Sequence, residues 1–301
     1  MKKYEFTGGT ISVSGVILNR IRAVRDFGNV KKGDWGGYIE KEDNLSHDGN
    51  AWVSGNARVS WNACVCGNAQ VSGNAKISGN AQVYGSAQIS GNAQVYGSAQ
   101  VYGGAQVCDY VRVSGDAQVF GDAQVYDHAQ VSGDAQICND ARVSGGAWVF
   151  EHAEVADNAH IFGNAWVCGN AKVYNNAQVF DGAQISGDAQ VADTAEVYGE
   201  VRLYGFVRIY GNARISNNTN YMTIGSIGSR FDTTTFFKDS NNKIFVSCGC
   251  FLGSLEKFRK EVEKVHGVNT RYAKVYQAAA DLAEIQILYK EVKEHEMQKD
   301  D

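Results

Sequence analysis

The chain has 301 residues, including 34 glycines, seven cysteines and no proline, and its formal net charge is −5 at pH 7. Hydrophobic residues make up 44% of it, which is typical of a folded protein and excludes a collagen-like chain or a disordered acidic tail. The first residues lack the apolar core of a secretory signal, and no apolar run approaches the length of a membrane span. We therefore expect a cytoplasmic protein with no membrane partner.

Residues 1–44 are predicted to form a β N-terminal cap. β-branched and aromatic runs at 4–7, 10–13 and 16–24 are separated by glycines, and the turn-rich sequence 33–38 follows them. A repeat rod exposes unpaired strand edges and an open core at its ends, so such a segment is expected to cover the first coil.

Residues 45–218 are dominated by a six-residue repeat. From Ala51 to Ala213 there are 28 consecutive hexads without an insertion or deletion. Each hexad starts with a small residue and has an aliphatic residue two positions later, so both face a core and the residue between them faces out. The remaining positions are pairs such as Gly-Asn, Gly-Ser or Gly-Asp, which favour corners. Each hexad thus predicts a three-residue strand followed by a corner.

This pattern resembles the left-handed parallel β-helix of hexapeptide-repeat proteins, in which three hexads complete a triangular coil. Residues 83–88 follow the family pattern of an aliphatic residue followed four positions later by a small one. The resemblance implies a mainly β fold with a single-stranded left-handed parallel β-helix of about nine coils. Residues 22–46 are also similar to the lead-in of acyltransferase-like repeat proteins of bacteria and prophages, a group without an established activity. That similarity implies a bacterial or phage origin.

Side chains at equivalent positions three hexads apart are expected to stack in columns along the rod. Glutamines at 70, 88, 106 and 124, and at 82, 100, 118 and 136, are predicted to form amide ladders. Aromatic residues in similar columns either stabilise the rod by stacking or bind a partner, and the sequence leaves both alternatives open. The candidate partner-binding residues are Tyr84, Tyr102, Phe120, Trp148, Trp166 and Tyr174.

Residues 219–301 are predicted to form a small α/β C-terminal domain. Apolar runs at 233–237 and 244–248 flank a turn and indicate a β-hairpin. Ser254 is expected to cap a helix that ends at Gly267, and a second helix begins near residue 270. Apolar residues of the second helix follow the 3, 4 spacing of a coiled-coil seam, which favours either self-association, with a trimer preferred, or packing on the hairpin. The candidate oligomerisation residues are Val275, Leu282, Ile285, Tyr289 and Val292.

The sequence predicts no catalytic residue, no cofactor and no metal site. His128, His152 and His160 have different positions within a coil of three hexads, so we expect them on three different sides of the rod. Five cysteines replace ordinary repeat residues, and Cys248 and Cys250 have no second ligand pair nearby, so we interpret the thiols as buried and inert. The rod is mildly acidic and no segment is strongly basic, which argues against a nucleic-acid partner.

Two functions from different classes fit these features. The first is a non-enzymatic structural or binding rod that presents flat repeat faces and a C-terminal domain to a macromolecular partner, which we expect to be a protein. A phage-encoded host-factor binder or inhibitor and a particle component are both compatible with it. The alternative is an acyltransferase-like enzyme with its site at an interface between rods. The uninterrupted hexads leave no loop to wall an active site, which favours the first hypothesis.

Overall fold

The N-terminal segment forms an antiparallel sheet that is continuous with the rod. A computed structural model describes residues 1–288. Strands β1 (Tyr4–Val13), β2 (Val16–Ala23) and β3 (Trp35–Ile39) follow one another in the sheet, and β3 then pairs in parallel with β5 (Arg58–Val59), the second strand of the repeat. A short 3-10 helix, Glu42–Asn44, leads into the repeat. The predicted cap is therefore β-structured, and its last strand already belongs to the first coil.

The repeat winds into a parallel β-solenoid of about ten coils, which confirms the predicted fold class. The 28 strands from β4 (Trp52–Val53) to β31 (Arg214–Ile215) are each two residues long and begin at every sixth residue. Each strand pairs in parallel and in register with the third strand after it, for example Gln88 with Gln106. Three strands therefore complete one coil.

Three sheets make the flat sides of the solenoid. Face I consists of β3, β5 and every third strand up to β29, and it continues into β2 and β1. Face II consists of β6 and every third strand up to β30, and face III of β4 and every third strand up to β31. The small and aliphatic residues of the hexads are almost all fully buried in one continuous core. Burial of this alternating set is what holds the coils together.

Every corner contains one residue in the left-handed backbone region. From Gly55 to Gly211 each sixth residue has a positive φ, and most of these residues are glycine. The others are mainly aspartate and asparagine, which tolerate this conformation. The strands have two residues rather than the predicted three because the alanine N–H turns back into the corner, as in the 3.2 Å bond from Ala57 N to Ser54 O.

The C-terminal domain is a four-stranded antiparallel sheet covered by two helices. Its strands are β32 (Tyr221–Ile227), β33 (Asp232–Lys238), β34 (Ile244–Cys248) and β35 (Phe251–Ser254), and the 3-10 helix Asn218–Asn220 precedes them. Strands β33 and β34 form the predicted hairpin. Strands β32 and β35 extend it on both sides and were not predicted.

Both predicted helices are present. Helix α1 (Leu255–His266) begins after Ser254, whose hydroxyl accepts a 3.4 Å bond from the N–H of Lys257, and it ends at Gly267. Helix α2 (Arg271–Leu288) packs beside it on the sheet. Within residues 1–288 neither helix is long and apolar enough to cross a membrane.

The C-terminal sheet covers the last coil of its own rod. Phe237 is fully buried and belongs to the solenoid core rather than to the core under the helices. The Arg208 N–H donates to Thr235 Oγ1 at 3.2 Å, and Ala213 forms an isolated bridge with Asp239. The open end of the hydrophobic core is thereby closed.

Candidate functional site

The first predicted aromatic column lies along the corner between face II and face III. The rings of Tyr84, Tyr102 and Phe120 are parallel to within 2° and their centroids are 4.8 and 4.9 Å apart. The Tyr84 and Tyr102 hydroxyls each donate 3.2 Å bonds, to Gln100 and Gln118. The rings thus cover each other's faces and present their edges to solvent.

Tyr174 shares this corner but stands apart from the stack. Its vertical neighbours are Ala156 and Ala192, which offer no ring. Burial and a hydrogen bond with Tyr174 raise the pKa of Tyr210, two coils further along. Tyr174 therefore has no stacking ring in the described part of the chain.

The predicted tryptophan pair lies on face I. Trp148 and Trp166 stack with centroids 5.3 Å apart and planes within 6° of each other, and each is 40% exposed. The six candidate residues are thus divided between one corner and a different face, and they do not form a single site. Whether either group binds a partner stays a prediction.

Two further stacks follow the same three-hexad spacing and were missed. Phe162, Phe180 and Tyr198 stack at 4.7 and 4.9 Å along the corner after face III. Tyr110 and His128 stack at 5.0 Å beside face I. Comparing corner positions of successive coils in the sequence would have found both.

Amide ladders exist, but asparagines at the corners form them. Asn74 donates to Asn92 at 3.2 Å and Asn62 to Asn80 at 3.2 Å, each across one coil. The predicted glutamine columns are in register, as with Gln70 and Gln88, but no glutamine-to-glutamine bond occurs within residues 1–288. The longer glutamine side chains bond instead to backbone carbonyls or accept from tyrosines.

Corner carboxylates also bond from one coil to the next. Asp127 accepts from the N–H of Gly145 at 3.0 Å, and Asp193 accepts from that of Gly211 at 2.8 Å. Much of the rod's acidic charge is therefore directed at backbone donors of the neighbouring coil.

The three repeat histidines lie apart, as predicted. His128 stacks on Tyr110, and His152 Nδ1 lies 3.0 Å from Asp134 on an exposed corner. His160 on face III is half-buried, and burial and then the Arg142 charge lower its pKa. Within residues 1–288 no three His, Cys, Asp or Glu side chains are grouped so that they could hold a metal ion.

Only Cys138 of the seven thiols is buried, so the prediction of buried thiols is wrong for the others, which are partly or fully exposed. Four of the five repeat thiols are nevertheless held protonated. Burial, and then a bond to Asp109, raise the pKa of Cys108 to about 11, and burial raises the pKa of Cys64, Cys138 and Cys168. Raised thiol pKa values lower nucleophilicity at neutral pH.

Cys248 lines a pocket of about 420 Å³ between the C-terminal sheet and α1. Its sulfur accepts from the Thr234 hydroxyl at 3.2 Å and lies 3.8 Å from the Tyr276 oxygen. Burial, and then the charge of Cys248, raise the pKa of Tyr276 to about 12. The Tyr276 hydroxyl is therefore protonated at neutral pH, and the pocket has apolar walls that include Phe258 and Val262.

Three of the five candidate oligomerisation residues, Val275, Leu282 and Ile285, lie on the outer side of α2. The helix packs on its own sheet through an alternative stripe with the same spacing, which includes Ala273, Tyr276 and Ala283. Leu282 and Ile285 are 52% and 64% exposed, and Val275 is partly exposed. Packing on the hairpin therefore does not use the predicted seam. Tyr289 and Val292 lie outside the described residues.

Comparison with known families supports the solenoid assignment. Four segments, 69–85, 87–103, 135–151 and 207–219, match the model of the YdcK beta solenoid repeat. No curated protein matches the chain. The family match and the stacked parallel coils identify a repeat β-helix protein.

Proposed function

We propose that the protein is a non-enzymatic rod that presents its repeat faces and its C-terminal domain to a macromolecular partner. The observation that carries this proposal is the continuity of the faces, because every corner from Gly55 to Gly211 closes in the same left-handed conformation without an inserted loop. Such faces are flat and long, which suits a protein surface better than a small substrate.

The origin and location proposed for the rod rest on the similarity of residues 22–46 to repeat proteins of bacteria and prophages. We place it in the bacterial cytoplasm, encoded by a phage or prophage, where it binds a host factor or joins a particle. The exposed apolar stripe of α2 supports self-association, with a trimer as the favoured state.

Site-specific photo-crosslinking tests the proposal face by face. Benzoylphenylalanine would replace Gln130 on face I, Gln100 on face II or Gln106 on face III, and adducts would be identified by mass spectrometry. We expect a defined partner to crosslink to one face, and glutamate substitutions next to that site to abolish the adduct. Identical adducts from all three faces, or none, would contradict the proposal.

Calorimetry with acetyl-coenzyme A tests the alternative of an acyltransferase-like enzyme. We expect no binding by the full-length protein. Saturable binding at micromolar concentration would overturn the non-enzymatic assignment.

A further inference from the structure

A groove of about 570 Å³ runs along face I in the N-terminal half of the rod. Its floor carries Arg58, Lys76 and Arg112 at outward strand positions, and the stacked rings of Tyr110 and His128 stand at one side. It crosses successive coils, so its long direction follows the rod axis.

The three cations of this groove lack acidic partners in the described part of the chain. Within residues 1–288 none of them forms an ion pair, and no outward strand position of face I from β5 to β29 holds an acidic residue. Elsewhere the rod places opposite charges in register: Glu154 pairs with Lys172, and Glu196 with Arg214. The cationic row on face I therefore departs from the rod's own pattern.

Arg58 and Lys76 are directly opposite each other on adjacent strands. Like charges in that position destabilise a sheet. Asp109 and Asp127, in the corner that precedes face I, point along the corner and accept from the N–H groups of Asp127 and Gly145. An external anion would relieve the repulsion that the rod itself leaves uncompensated.

The distances between the cations along the rod axis match the distances between side chains on one side of an α-helix. With strands ~4.8 Å apart, Arg58 and Lys76 are ~5 Å apart along the axis, and Lys76 and Arg112 are ~10 Å apart. In an α-helix, positions i and i+3 are separated by ~4.5 Å and positions seven apart by ~10.5 Å. In an extended strand, side chains on one side recur every ~6.7 Å, which does not match.

We propose that face I binds an acidic α-helix of a partner protein, lying parallel to the rod axis with carboxylates at positions i, i+3 and i+10. This inference rests on the proposed function and names the face and the chemistry of the partner. The three carboxylates share one side of such a helix, within ~80° of arc. They would meet Arg58, Lys76 and Arg112 in order.

Trp148 and Trp166 extend the same face beyond the cations. They lie two and three coils past Arg112, or ~10 and ~14 Å along the axis. Apolar side chains at i+17 and i+21 of the helix would lie near their exposed edges. A partner helix of about 22 residues, ~33 Å long, would cover the face.

Other anionic partners fit the face less well. Single-stranded nucleic acid needs open aromatic faces on which bases stack, and in each of these two pairs one face of each ring is already covered by its partner. An extended acidic peptide has the wrong spacing. Helix α1 of a second copy mixes lysine with glutamate and is not complementary to a cationic row.

The test uses the full chain and a designed peptide followed by fluorescence anisotropy. The peptide is a capped helix of about 22 residues with glutamates at 1, 4 and 11 and leucines at 18 and 22, on an alanine and glutamine background. A peptide of the same composition has its glutamates spread around the helix. The triple variant R58Q/K76Q/R112Q removes the cationic row, and R142Q/K172Q/R208Q makes the same change in charge on the other faces. Gln occupies these strand positions elsewhere in the rod, so both variants should fold, which circular dichroism checks.

We expect the patterned peptide to bind about tenfold more tightly than its control, and the face I variant to lose about tenfold in affinity. The variant on the other faces should change affinity less than about twofold, and salt should weaken binding. Equal binding of the two peptides overturns the inference. It is also overturned if oligothymidylate, heparin or disordered polyglutamate binds more tightly at the same residues, or if the face I variant alters the solution mass. Absence of binding by every probe would also overturn the inference.

Failure of this inference is distinguishable from failure of the proposed function. A crosslink specific to face II or face III, without peptide binding on face I, contradicts the helix-binding site but is consistent with the proposed binding rod. Absence of any face-specific crosslink contradicts the binding rod itself.

Discussion

The stack of Tyr84, Tyr102 and Phe120 allows the stabilising role of the aromatic columns to be measured. Replacing Tyr102 with alanine removes two ring contacts, at 4.8 and 4.9 Å, and the 3.2 Å bond to Gln118. Each ring pair is worth ~0.5–1.5 kcal/mol beyond area burial, and the hydrogen bond ~0.5–1.5 kcal/mol. Because the column is only half-buried, we expect these contacts together to contribute ~2–3 kcal/mol to the free energy of unfolding.

Tyr96 is a matched control for this substitution. It occupies the equivalent corner position after face I, but its vertical neighbours are Ser78 and Ser114, so it has no stacking partner. It is 39% exposed. Both substitutions should lower the free energy of unfolding. Tyr102→Ala should lower it by ~2–3 kcal/mol more than Tyr96→Ala, because only Tyr102 loses ring contacts and the hydrogen bond to Gln118.

Urea unfolding followed by circular dichroism gives the comparison. The slopes of the transitions should agree between variants, which shows that the same structure unfolds in each case. Tyr102→Phe should lose only the hydrogen bond of the hydroxyl, so it measures the contribution of that bond to the free energy of unfolding. If Tyr102→Ala destabilises no more than Tyr96→Ala, stacking does not stabilise the rod, and the column is left to be explained by partner binding.

Four further predictions concern other parts of the molecule. Lys76→Gln should raise the free energy of unfolding by ~0.5 kcal/mol in the same urea assay, because it removes a like-charge pair, and a decrease would contradict the repulsion. At about pH 8, iodoacetamide should modify Cys108 more slowly than exposed Cys250, since burial raises the pKa of Cys108 to about 11. The same raised pKa favours the folded state below the ordinary value of 9.0, so its contribution to stability should be lost as the pH rises from 9 towards 11, and urea midpoints that stay constant there would contradict it. Replacing Leu282 and Ile285 with glutamine should convert a trimer to a monomer in light scattering, and an unchanged mass would show that the exposed stripe of α2 does not hold copies together.

The repetitive part of the fold was predictable because each hexad encodes its own local structure. A small residue and an aliphatic residue two positions later specify which side is buried, and the following Gly or Asp specifies a corner. Repetition then makes the assignment of buried, exposed and corner positions unambiguous, because neighbouring hexads show the same pattern. The spacing of three hexads per coil similarly predicted the stacking of Tyr84 on Tyr102 and of Trp148 on Trp166.

The C-terminal domain was less predictable because tertiary packing decides there between similar patterns. Helix α2 has two stripes with the same spacing, and the sequence favoured the larger side chains of Val275 and Leu282. The smaller stripe around Ala280 and Ala283 packs on the sheet because small residues let the helix approach closely. Strand β32 contains glycine and serine and shows no clear alternation, so its pairing depends on β33 beside it.

The charges on face I are visible in the sequence only when equivalent positions of successive coils are compared. The net charge of residues 45–218 is negative, and this total conceals the aligned positive charges of Arg58, Lys76 and Arg112. In a solenoid the relevant sum is taken along a column rather than along the chain, because equivalent positions of successive coils are neighbours in space.

The near-identity of the coils also poses a problem for folding. A strand that pairs one coil too early or too late, an error of three hexads, would still bury alanine and an aliphatic side chain, so the hydrophobic core alone discriminates weakly between correct and shifted registers. Elements that occur once must supply that discrimination. Leu45 pairs with Val65 across 20 residues rather than the 18 of three hexads, and Phe237 enters the core from the C-terminal sheet, so neither belongs to the regular repeat. The two ends therefore fix the register of strand pairing in the intervening coils. Chains that lack either end are expected to fold into mixtures of registers.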